Sequence, residues 1–293
     1  MNRNAIVYVL ISAALFGTST PAAKILVGTV HPAILAGLLY CGAGLGIALL
    51  RRILPSIVVA PPEVALTRSE LPWLAGAIAA GKRDGRTVHL SLAGSKTPRD
   101  AYDRLATLVD DWQGIELWLG DERLVPPDDP ESNYRLVNET LVQAGATAHA
   151  VPTSGSAEEA ASGYAREIRE RIPPGPTGLP ELDLALLGLG EDGHTASLFP
   201  HAPTLEARGE VCVAVHDAPK PPPDRVTLTI DMLRAARSRV VLAVGEGKAR
   251  AAAAALAGPD PGVPASLLAD GSLELILDQP AAGELSVEAT RLG

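Results

Sequence analysis

The sequence predicts an α/β protein: a mostly parallel, doubly wound sheet with flanking helices, preceded by an N-terminal two-helix transmembrane hairpin. Three observations carry this expectation. Apolar runs of strand length ("TVHLSL", "IELWLG", "LDLALLGLG", "VCVAV", "RVVLAVG", "LELIL") alternate with helical stretches at 98–111, 132–144, 157–171 and 247–257. Such alternation marks parallel strands joined by crossover helices. Several strands run straight into glycine-rich or charged segments, as ligand loops do at the carboxyl edge of such a sheet. The composition also breaks near Pro55.

Before that break, Ala5 to Ala23 and Pro32 to Leu50 are each 19 residues without a charge. About 20 apolar residues cross a bilayer. Arg3 precedes the first stretch and Arg51 and Arg52 follow the second, which puts both ends on the cytoplasmic side. Gly17, Gly42, Gly44 and Gly46 let two spans pack closely, and Pro21 kinks the first. A signal peptide fits less well, because a second apolar stretch follows at once. The expected layout is a hairpin at 1–54, a folded domain at 57–280 and a C-terminal tail at 281–293. The domain faces the cytoplasm, attached to the inner membrane through residues 5–50.

The 293 residues are 47% hydrophobic but only 3% aromatic, so the core is built from Ala, Val, Leu and Ile. Net charge is −9; the +4 of Arg3, Lys24, Arg51 and Arg52, with no acid in 1–54, leaves −13 on the remainder. That excludes a general nucleic-acid surface. An anionic ligand must instead be met by a local cluster of donors. Cys41 and Cys212 give neither a disulfide framework nor metal spacing, and no metal or cofactor is expected.

Four strand ends carry polar chemistry. After "TVHLSL" come Gly94, Ser95, Lys96 and Thr97, then Pro98 opening a helix, an arrangement of free N–H groups suited to phosphate. It is not a P-loop, since Ser95 rather than Gly precedes Lys96. After "IELWLG" come Asp121, Glu122 and Arg123; charges at a buried strand end need partners, and Arg grips an anionic oxygen pair. An internal salt bridge from Arg123 to Asp121 or Glu122 is the structural alternative.

After "LDLALL" comes "GLGEDGHTASLFP". Gly188–Gly193 fits the dinucleotide fingerprint, but it sits late in the chain, and the next strand is followed by His216 and Asp217 instead of a single ribose-binding acid. His194 stands where a helix should start, and a positive helix end keeps an imidazole neutral and basic. Asp192 is placed to orient it. The fourth end, "AVGEGKARAAAAALAG", puts Lys248 at a helix start, where a bound anion would offset its charge.

Together "SLAGSKTP", "LGDERLVPPDDPESNYR", "DLALLGLGEDGHTASLFP", "PPPDRVTLT" and "GEGKA" resemble the glucosamine-6-phosphate isomerase/6-phosphogluconolactonase superfamily, on its lactonase side, over about 57–280. The resemblance implies a sugar-phosphate isomerase-like fold. It also implies metal-free hydrolysis of 6-phospho-D-glucono-1,5-lactone in the pentose phosphate pathway. His194 would be the general base, and Gly94 or Gly193 would offer N–H groups to the oxyanion. Arg123, Lys248, the Gly94–Thr97 loop and, more weakly, Arg225 would hold the phosphate. The deaminase branch carries a glutamate where Phe199 stands, which favours the lactonase. Two departures are visible: the first loop reads Ala93-Gly94-Ser95-Lys96-Thr97-Pro98 where the family has S-G-G-S-T-P, and the first strand and helix are poorly matched, with Pro72 interrupting the helix pattern. Residues 1–54 resemble the opening of drug/metabolite transporters, so the hairpin is either an anchor or the relic of a fused frame. A transport fragment is the competing reading from another class.

Overall fold

A computed structural model describes residues 56–59, 67–94, 98–270 and 273–285. The expected hairpin lies outside them, as do Ser95, Lys96 and Thr97. No helix among the described residues is long and apolar enough to cross a membrane.

In chain order the strands are β1 (Ser56–Val59), β2 (Val88–Leu92), β3 (Ile115–Leu119), β4 (Asp121–Arg123), β5 (Thr147–Ala148), β6 (Leu184–Gly188), β7 (Cys212–Val215), β8 (Arg225–Leu228), β9 (Arg239–Ala243) and β10 (Leu273–Leu277). The helices are α1 (Thr67–Arg83), α2 (Arg99–Leu108), α3 (Asn133–Val137), α4 (Ala157–Arg171), α5 (Ile230–Arg234) and α6 (Ala249–Leu256). Seven strands make one parallel sheet in the order β1-β10-β9-β6-β2-β3-β5. From β2 the chain builds outward through β3 and β5, then returns to lay β6 against the other side of β2. Loops leaving β2 and β6 therefore diverge, opening a crevice at their carboxyl ends, where doubly wound sheets bind ligands.

Covered on both faces, β2 and β9 are buried at every position, with the polar His89, Ser91 and Arg239 buried alongside their apolar neighbours. Trp118 anchors the core, stacked on His149 at 4.0 Å and tilted against Tyr164 at 5.9 Å. Helix α4 starts with a reciprocal capping box between Ser156 and Glu159.

Two expectations need correction. "VCVAV" is not in the parallel sheet. As β7 it joins a three-stranded antiparallel sheet ordered β4-β8-β7, because a five-residue apolar run cannot by itself tell a central strand from a hairpin arm. Gly120 links the two sheets: its N–H donates to Leu92 O at 3.1 Å and its carbonyl accepts from Leu228 N at 2.9 Å. The poorly matched first strand and helix are both formed. β1 pairs with β10 from Ser56↔Glu274 to Val59↔Leu277, and α1 runs through Pro72, at the expense of a single backbone hydrogen bond. Near the C-terminal end of the described residues, Ala281 is fully buried and Leu285 packs on the core.

Away from the crevice, His89 is buried with Trp118 Nε1 donating to its Nδ1 at 3.2 Å. Burial pushes its pKa below the usual 6.5, against the opposing pull of Glu116 and Asp183. The unfolded chain therefore takes up this proton first. The contribution of His89 to stability is full above pH 6.5 and lost as pH falls through the lower folded value. Urea midpoints measured between pH 8 and pH 5 should fall less steeply in His89→Gln than in the wild type; equal slopes would remove His89 from the acid response.

Candidate active site

The turn after β6 is built around one imidazole. His194 Nδ1 lies 2.5 Å from Asp192 Oδ1, and its backbone N–H donates to the same oxygen at 3.2 Å. Gly190 N–H donates to His194 O at 2.8 Å, Gly193 N–H to Gly190 O at 3.1 Å, and Thr195 Oγ1 to Gly188 O at 2.9 Å. A Cβ on Gly190 would stand 2.0 Å from His194 Nδ1 and 2.4 Å from Asp192 Oδ1. The second glycine of the fingerprint thus makes room for a side-chain pair, not for a pyrophosphate. Gly193 takes φ +84, and a Cβ there would meet Val263 at 2.7 Å. Burial raises the Asp192 carboxyl, but the hydrogen bonds and charge of His194 outweigh it and hold the pKa below the usual value.

No helix starts here. Residues 190–202 are turns with one Thr195↔Leu198 bridge, because positive φ at Gly193, Ala196 and His201 breaks any helical run. The expected helix field on the imidazole is therefore absent, and a carboxylate orients it instead. The N–H of Gly193, an expected oxyanion donor, is engaged by Gly190 O within the turn.

His194, Gly94, Asp121, Arg123, Arg225 and Lys248 line one cavity of about 350 Å³, at the carboxyl ends of β2, β6 and β9. Gly94 is required there because a Cβ would fall 1.8 Å from Asn133 Cγ. The ionisable rim holds Arg123, Lys220, Arg225 and Lys248 against Asp121 and Glu131, a local cationic surplus on an acidic chain. Arg123 Nη1 donates to Glu131 O at 2.5 Å and lies 3.4 Å from Glu131 Oε2; its partner is neither Asp121 nor Glu122. Arg225 is nearly buried, with Nε on Pro222 O at 3.0 Å, Nη2 on Lys220 O at 2.6 Å, and its guanidinium 5.6 Å above the Phe199 ring. Burial lowers its pKa, opposed by the Asp121 charge, while Arg123 lowers it further. Phe199 in turn tilts against His194 at 4.9 Å.

Glu122 does not face this cavity. It is 2% exposed and accepts from the N–H groups of Arg123, Asn133 and Tyr134 and from Ser132 Oγ, at 2.7–3.0 Å. Burial pushes its pKa up against the pull of those backbone donors. Its work is to cap α3 and shape the loop. Lys220, in a proline-rich stretch with no chemical signature of its own, also lines the cavity and was missed by sequence reading. His216 closes the base of that stretch, pairing with Asp224 at 2.8 Å and Glu158 at 2.7 Å.

Fold and site together define a class: α/β enzymes whose cavity opens in the crevice where a parallel sheet reverses its winding, here with a cationic surplus on its rim. The chain belongs to the glucosamine-6-phosphate isomerase/6-phosphogluconolactonase family, whose profile matches residues 62–277. It is 38% identical over 194 residues to the 6-phosphogluconolactonase of Streptomyces coelicolor, covering 63% of this chain and 71% of that one. Against the human 6-phosphogluconolactonase the identity is 40% over 178 residues, with coverage of 57% and 67%. The 6-phosphogluconolactonase structure from Trypanosoma brucei superposes with a TM-score of 0.72 at 27% identity, covering 80% of this chain and 99% of that one.

Proposed function

We propose that the protein hydrolyses 6-phospho-D-glucono-1,5-lactone to 6-phosphogluconate, with His194 as general base and no metal. The observation that carries this is the sharing of one cavity by His194, whose Nδ1 is held by Asp192, and four cationic side chains. Asp192 accepts the Nδ1 proton, which fixes the tautomer and leaves the Nε2 lone pair free. A water molecule gives its proton to Nε2 as its oxygen bonds to the lactone carbonyl carbon. The tetrahedral oxyanion then collapses, the ring C–O bond breaks, and the alkoxide takes the proton back from Nε2. No net proton is exchanged with His194, and the acid product then ionises.

Arg123, Arg225, Lys248 and Lys220 would hold the phosphate, which positions the carbonyl over the imidazole. Gly94 and the adjoining Ser95, Lys96 and Thr97, outside the described residues, would complete that grip. Phe199 supports the lactonase over an amino-sugar deaminase, because no carboxylate stands beside His194 at that position. The packing of Asp192 and His194 over Gly190 speaks against a dinucleotide cradle. Anchorage through residues 5–50 rests on the two uncharged stretches alone, and sedimentation of the full chain with membranes tests it.

The activity is tested by proton release from freshly generated phosphogluconolactone. The full-length protein should accelerate release well beyond spontaneous opening. A rate equal to the buffer control would end this reading.

A further inference from the structure

We infer that Ser197 is a positioning residue for phosphate recognition, its hydroxyl separating Asp121 from Arg225 so that the guanidinium stays presented to the cavity. The inference rests on the phospholactone reading above. Ser197 is fully buried and does not itself line the cavity, whereas Asp121 and Arg225 do. Its Oγ–H donates to Asp121 Oδ2 at 2.6 Å, and the same oxygen accepts from Arg225 Nη1 at 3.4 Å. Its backbone N–H donates to Thr227 Oγ1 at 3.2 Å, seating the turn on β8.

The neighbours of this bridge are all fixed. Asp121 Oδ1 accepts from Asn133 Nδ2 at 3.1 Å, and that amide also reaches Asp121 O at 2.8 Å. Arg225 is held by two loop carbonyls and lies over Phe199. A carboxylate and a guanidinium this close in a poorly solvated site attract strongly. Direct pairing would turn the guanidinium onto Asp121 and spend its donors there. A serine hydroxyl supplies one donor for the carboxylate and lone pairs for the cation. It is the smallest side chain able to satisfy both at once without joining them. Because Ser197 follows His194 by three residues in the same irregular turn, one segment places both the base and the spacer.

Alanine at this position removes the spacer and lets Asp121 close on Arg225. The test uses the full-length protein with phosphogluconolactone and with unphosphorylated glucono-1,5-lactone, alongside calorimetric titration with inorganic phosphate. Ser197→Ala should raise KM for the phosphorylated lactone roughly tenfold and weaken phosphate binding by the same factor. Its kcat should stay within about twofold, and kcat/KM for the unphosphorylated lactone should not move. Ser197→Cys, similar in size with a weaker donor, should fall between; it carries the same test should the alanine variant fail to fold. An equal loss on both lactones, or unchanged phosphate affinity, overturns the inference. Phosphate titration does not depend on turnover, so a protein whose phosphate affinity depends on Ser197 yet leaves the lactone intact would sink the activity reading and keep this one.

Discussion

Replacing His194 with alanine is expected to lower kcat for the phosphorylated lactone by about 10²–10⁴-fold, the usual worth of a positioned general base. KM should change little, because the groups proposed to hold the phosphate are untouched. His194 is the only imidazole among the described residues that lines the cavity, so no neighbour can assume its role. Its side chain is about one-fifth exposed, which keeps the cost to folding small, and thermal unfolding should confirm that. The measurement is proton release corrected for the spontaneous reaction. A kcat within a few-fold of the wild type would remove the base from the mechanism.

Gly190→Ala should come close to that loss, on the order of 10²-fold in kcat, as a displacement of about 1 Å in catalytic geometry does. The new methyl would have to occupy space within 2.0 Å of His194 Nδ1 and 2.4 Å of Asp192 Oδ1, so both partners must move. Backbone strain adds nothing, since Gly190 is not among the residues with positive φ. Activity should therefore fall much further than stability does. Kinetics near the wild type would show that the pair does not need its present seat.

Both tests bear on the segment that the sequence made most legible. A strand running into a glycine turn that ends in Asp-Gly-His carries its chemistry locally, and Arg123, Lys248 and Gly94 were likewise readable as strand-end groups. Glu122 was not, although the signal was present. In a strand, side chains alternate, so Asp121 and Arg123 share one side of β4 and Glu122 takes the other. Lys220 was unreadable for a different reason. Its place over the cavity comes from the β7–β8 hairpin pairing with β4, a long-range contact that nothing in "PKPPP" encodes. The same limit hid the second sheet, because β4 and β8 meet across about a hundred residues of chain. The helix field on His194 failed because three positive φ values, two of them at non-glycine residues, carry no clear sequence signature.

Within that second sheet, Arg123 and Arg225 stand directly opposite each other across β4 and β8. Like charges in such a cross-strand pair repel and weaken it. A dianion lodged between them would cancel the repulsion, so occupancy and folding become thermodynamically linked. At a ligand concentration a hundred times Kd, the bound form would gain about 2.7 kcal/mol over the empty protein. An enzyme arranged this way would be sturdiest while metabolic flux keeps it filled, and most exposed to proteolysis when its sugar phosphates run low.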